Sequence, residues 1–135
     1  MPIKLLVVLL LLIPPYVSGS AGHDEIAYLV APSGGAVVSN PVKVIFGLRS
    51  PYGVAPAGVV KDNTGHHHLL IDTDLPDLNL PIPNDENHRH FGGGQTETIL
   101  ELPPGKHTLQ LLLGDFAHIA HKPPVMSERI TITVE

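Results

Sequence analysis

The sequence predicts an all-β fold, a single antiparallel β-sandwich of about seven strands in Greek-key order. Three observations carry that expectation. Beyond the first twenty or so residues no segment has helical periodicity, and short runs of alternating apolar and polar residues recur instead. Turn-forming residues punctuate those runs, with 13 Gly and 14 Pro in the chain. A length of 135 residues suits one domain, and without any Cys that domain rests on its apolar core alone.

Residues 1–21 read as a signal peptide. Met1-Pro2-Ile3-Lys4 is a short basic start, residues 5–13 are unbroken apolar sequence, and Ser18-Gly19-Ser20-Ala21-Gly22 is a small-residue run. The apolar run is too short to span a bilayer comfortably. The expectation is export to a periplasm or the cell exterior, with the domain over 22–135 and no membrane contact after cleavage.

Strand A falls at 26–30 and ends at the turn Ala31-Pro32-Ser33-Gly34-Gly35. Residues 36–41 form a short edge-like piece. Strand B, 42–48, alternates Val42, Val44, Phe46 and Leu48 with Lys43, Ile45 and Gly47. A Gly- and Pro-rich loop covers 49–65. Strand C, 66–72, opens with His66-His67-His68 and puts His67, Leu69 and Ile71 on one face, His66, His68 and Leu70 on the other. A poor strand D lies within 80–91. Strand E, 96–102, shares Thr96, Thr98, Leu100 and Leu102 on one face. Strand F, 106–113, turns His107, Leu109, Leu111 and Leu113 to the core, and strand G, 127–134, does the same with Ile130, Ile132 and Val134.

Seven strands in this order fit an immunoglobulin-like sandwich. Gly105-Lys106-His107-Thr108-Leu109 resembles the Gly-x-Tyr-x-apolar corner that opens strand F in such domains, with His107 in the tyrosine place. Residues 31–42 resemble the first hairpin of bacterial immunoglobulin-like domains. Three longer stretches resemble a secreted family labelled domain of unknown function 4399: Gly65-His66-His67-His68-Leu69-Leu70-Ile71-Asp72, His90-Phe91-Gly92-Gly93-Gly94-Gln95-Thr96-Glu97, and residues 105–115. The resemblance implies export and a small β fold, and it brings no activity with it.

Nine histidines are the compositional outlier. In an immunoglobulin-like order the start of C, the passage from D to E and the F–G loop share one end of the sandwich. His66, His68, His88, His90, His118 and His121 therefore become candidate ligands of a divalent transition metal. Imidazole suits Cu(II), Zn(II) and Ni(II). His66/His68 and His88/His90 each have the spacing that places two rings on one strand face. Asp72, Asp74 and Glu86 are candidates to orient those rings. His107 reads as structural, and His67 as either a buried core histidine or a ligand.

The formal charge is −5 with cations spread thinly, which argues against nucleic acid as partner. Gly92-Gly93-Gly94 lacks the Lys-Ser/Thr of a phosphate loop, and no nucleophile elbow or paired-carboxylate pattern appears. The expected function is an exported copper- or zinc-binding domain, a carrier, buffer or sensor, with another periplasmic protein as a candidate partner. Two alternatives stand beside it. One is an interaction module without metal. The other is a copper enzyme, since His88-Arg89-His90-Phe91-Gly92 faintly resembles the copper strand of copper–zinc superoxide dismutases.

Overall fold

A computed structural model describes residues 25–135. The expected signal peptide and His23 lie outside the described residues. The described chain forms nine strands and no helix: β1 (Ala27–Ala31), β2 (Val37–Val38), β3 (Val42–Leu48), β4 (Gly53–Val54), β5 (Thr64–Ile71), β6 (His88–His90), β7 (Glu97–Leu100), β8 (Gly105–Gly114) and β9 (Ile130–Val134). They make two sheets, ordered β1-β3-β7 and β2-β9-β8-β5-β4, with β6 also paired to β5. In the lettering used for the sequence, A, B and E are neighbours in one sheet and G, F and C in the other, as in an immunoglobulin-like sandwich.

The inward faces interdigitate as the alternation requires. Val42, Val44 and Phe46 of β3 and Leu100 of β7 meet Leu69 and Ile71 of β5, Leu109 and Leu111 of β8, and Ile132 and Val134 of β9. The intervening residues Lys43 and Ile99 point to solvent.

Three features depart from the expected pattern. The poor strand within 80–91 is the three-residue β6, and it pairs with β5 rather than joining β7. Pro76, Pro81 and Pro83 prevent a longer strand before it. Gly53–Val54, inside the stretch read as loop, pairs in parallel with the start of β5, and Val37–Val38 pairs in parallel with β9. The third departure positions the candidate site. Antiparallel sheets of this kind usually leave one face wet. Here β5 from Gly65 onward and the second half of β8 are buried on both faces. The connections before β6 and after β8 fold over the outer face, where Ile82 and Ala120 pack on Leu70 and Leu112. Leu111-Leu112-Leu113 is therefore a run buried on both sides, one leucine inward, the next under the covering loops.

The candidate metal centre

β5 and β8 run antiparallel with His66 opposite Gly114, His67 opposite Leu113 and His68 opposite Leu112. β6 runs along the other side of β5, with His90 opposite His68 and His88 opposite Leu70. Directly opposed residues share a face. His66, His68 and His90 therefore project together from the outer face. His67 projects into the core, where its ring lies 5.1 Å from that of Phe46.

One ring nitrogen from each of His66, His68 and His90 lies within 4.8 Å of the others. Nε2 of His66 and Nε2 of His90 are 3.2 Å apart. Two ligands of a tetrahedral ion with bonds of about 2.0–2.1 Å would have nitrogens about 3.3 Å apart. These three side chains can hold a metal.

Glycines make the room. A Cβ on Gly114 would stand 2.7 Å from Cε1 of His68, and one on Gly92 would stand 2.4 Å from Cε1 of His90. The two rings lie directly on glycine backbone.

The electrostatics suit a cation. His66 and His68 have no exposed surface. Burial, then the neighbouring imidazoles, pushes the His66 pKa down to about 4 and that of His68 to about 3. Burial and His118 lower His90 too. At neutral pH the His66 and His68 rings are uncharged, so a metal meets no proton competition for them, and the lowered pKa of His90 favours its neutral ring as well. Nδ1 of His66 and both ring nitrogens of His68 have no hydrogen-bond partner. Buried polar atoms normally have one.

His118 reaches the same cluster from the loop after β8. Its ring is 4.9 Å from that of His66 and 4.8 Å from that of His90, centre to centre. His118 has a left-handed backbone, φ 66°. Asp115 holds the turn by accepting the backbone N–H groups of Ala117 and Ile119 on Oδ1, and the carbonyl of His118 accepts from Ile82 N at 2.7 Å.

The other two candidates stand apart. His88 donates through Nδ1 to Asp85 at 2.8 Å, and it is not among the three histidines whose ring nitrogens converge. The carboxylate of Asp85 is drawn below its usual range by that bond. His121 donates through Nε2 to the carbonyl of Thr64 at 3.1 Å and stacks edge-on against Tyr52. A Cβ on Gly65 would stand 3.0 Å from Cε1 of His121. Gly65 shares the core-side face of β5 with His67, so His121 lies on the other side of the strand from the cluster.

The carboxylates expected to orient the rings do other work. Asp72 is at the far end of β5, where Oδ2 accepts from Nδ1 of His107 at 2.6 Å and Oδ1 accepts from Thr108 N at 2.9 Å. Asp74 pairs with Arg129 at 2.6 Å. Glu86 is exposed. The sequence pattern singled out neither Asp85, which holds His88, nor Asp115, which shapes the turn carrying His118; the second is the one beside the cluster. Its signal was Asp three residues before a histidine in a loop, the usual form of a side chain that caps a turn.

His107 is structural, as expected. Nδ1 faces Asp72 and Nε2 faces the carbonyl of Pro103 at 2.7 Å, so both nitrogens must donate and the imidazolium fits best. The bond to Asp72 raises its pKa. Histidine thus serves in the tyrosine place of the corner by bridging two acceptors.

Neither curated proteins nor solved structures give a match to the chain. One family model covers residues 44–135, more than half of the chain and all four clustered histidines, so the protein belongs to the family described as Domain of unknown function (DUF4399).

Proposed function

We propose that this domain binds one divalent transition-metal ion, copper or zinc, through His66, His68 and His90, and serves outside the cytoplasm as a carrier, buffer or sensor of that ion. The observation that supports the reading most is the convergence of three imidazoles, two of which, His66 and His68, are fully buried with ring nitrogens that have no hydrogen-bond partner. An unmatched buried polar atom costs about 1–3 kcal/mol, and a cluster of them is tolerated where a ligand satisfies it. The signal-peptide pattern at residues 1–21 supports export, and a periplasmic protein that supplies or accepts the ion is the fitting partner.

The copper-enzyme alternative draws on the His88/His90 pair. That support weakens because His90, and not His88, belongs to the set of converging ring nitrogens.

Equilibrium dialysis of the purified protein against Zn(II) and Cu(II) near neutral pH tests the proposal. One tightly bound ion per chain is expected, lost in His66→Ala, His68→Ala and His90→Ala and kept in His88→Ala. No uptake by the native chain would overturn it.

A further inference from the structure

We propose that His118 is the fourth ligand of the same ion, closing the cluster into a tetrahedral four-imidazole site of the class that takes Zn(II) or Co(II). This rests on the reading of His66, His68 and His90 as a metal site.

Ring geometry carries the argument. A metal–nitrogen bond of about 2.0–2.1 Å in the plane of an imidazole puts the ring centre about 3.2 Å from the ion. Four rings at tetrahedral angles then have all six centre-to-centre separations near about 5.2 Å. A square-planar set has four near about 4.5 Å and two diagonals near about 6.4 Å. His66 is 4.8 Å from His68, 5.0 Å from His90 and 4.9 Å from His118. His68 is 5.1 Å from His90 and 6.1 Å from His118, and His90 is 4.8 Å from His118. One separation is long, and His118 stands outside the set whose donor nitrogens lie within 4.8 Å of one another. In a square the opposite diagonal, His66 to His90, would be equally long, and it is 5.0 Å. The arrangement is a tetrahedron stretched along one edge, the edge that ends on the loop histidine.

The loop suits that role. Three ligands stand on paired strands, and the fourth comes from the turn after Gly114, where a short movement of His118 toward His68 would close the figure. A residue other than glycine at positive φ is uncommon. Here Asp115 and Ile82 fix the backbone on either side of the ring. With four protein ligands no coordination position is left for water or substrate. Such a shell holds and releases an ion rather than activating a bound water, which favours carriage or buffering over catalysis.

Co(II) reports the geometry of the shell, and the pH dependence of its spectrum reports whether water is in it. The purified protein titrated with Co(II) should develop the intense visible absorption of tetrahedral cobalt, abolished by one equivalent of Zn(II). His118→Gly and His118→Asn both tolerate a left-handed backbone, and folding is checked by thermal melts. In either variant Co(II) should still bind, but water in the fourth position should shift the visible bands and make them change with pH near neutrality as that water ionises, whereas the native spectrum should not change there. Zn(II) affinity should fall by more than about 100-fold, the upper end of what is lost when only an outer partner of a ligand is removed. His121→Ala should leave spectrum and affinity unchanged. Native protein that binds Co(II) with only weak absorption, or His118 variants that keep the native spectrum and affinity, would overturn the fourth ligand and leave the three-histidine reading intact. Failure of the native protein to take up either ion would overturn both.

Discussion

Replacing His67 by leucine should stabilise this protein, although His67 stands between two cluster histidines. The ring is 1% exposed, packs on Phe46 in the core, and has no partner for either nitrogen. A neutral imidazole there leaves one N–H and one lone pair unmatched, at about 1–3 kcal/mol for such a group. Leucine removes that cost but forfeits a ring contact worth about 0.5–1.5 kcal/mol. The net gain at pH 7 should be about 1–2 kcal/mol, or about 4–8 °C in Tm. Acid enlarges it. Burial holds the His67 pKa down to about 4 against an ordinary 6.5, so between those values the unfolded chain binds a proton that the folded chain does not. The stability that depends on a neutral His67 is fully present above pH 6.5 and is lost as the pH falls toward 4. By linkage the loss has reached about 2 kcal/mol at about pH 5. The advantage of leucine should therefore be about 2 kcal/mol larger at about pH 5 than at about pH 7. Urea unfolding followed by circular dichroism at both pH values measures this. Metal uptake should not change, because residue 67 faces away from the cluster. A leucine variant less stable than the native protein at neutral pH, or a gain that is the same at both pH values, would refute the reasoning.

Gly114→Ala should leave the fold largely intact yet weaken metal binding by displacing His68, since its Cβ would come within 2.7 Å of that ring; dialysis beside a thermal melt separates the two effects. His107→Phe should cost about 1–3 kcal/mol in urea unfolding, because it removes the charge-assisted bond to Asp72 together with the bond to the Pro103 carbonyl. The His107 pKa is raised from 6.5, so its contribution is full below pH 6.5 and fades as the pH rises through the raised value, the opposite sense to His67. Leu111→Ala, at 0% exposure in the core, should cost about 2–5 kcal/mol without touching the outer face.

The alternation in 42–48, 66–72 and 106–113 was enough to assign the strands and their inward faces, because a period of two has one reading once one face is buried. The division of the triplet, His67 to the core and His66 with His68 opposite, followed from that alternation alone. So did the structural role of His107, from a Gly-x-His-x-Leu corner. Local spacing could not show that β6 pairs with β5, since a three-residue strand between prolines and glycines carries almost no register information. It could not show that His88 turns to Asp85 and His121 to the Thr64 carbonyl, because both choices are settled by hydrogen-bond partners brought near by the fold.

Sequence by itself determined a β-sandwich with histidines on the outward face of one central strand. Only the tertiary structure decided that this face is not outward in fact. The connections before β6 and after β8 cover it, and the same covering removes water from His66 and His68, lowers their pKa values and brings His118 to within 4.9 Å of His66. Burial depends on what lies over a residue, and what lies over these histidines comes from parts of the chain with no periodic pattern of their own.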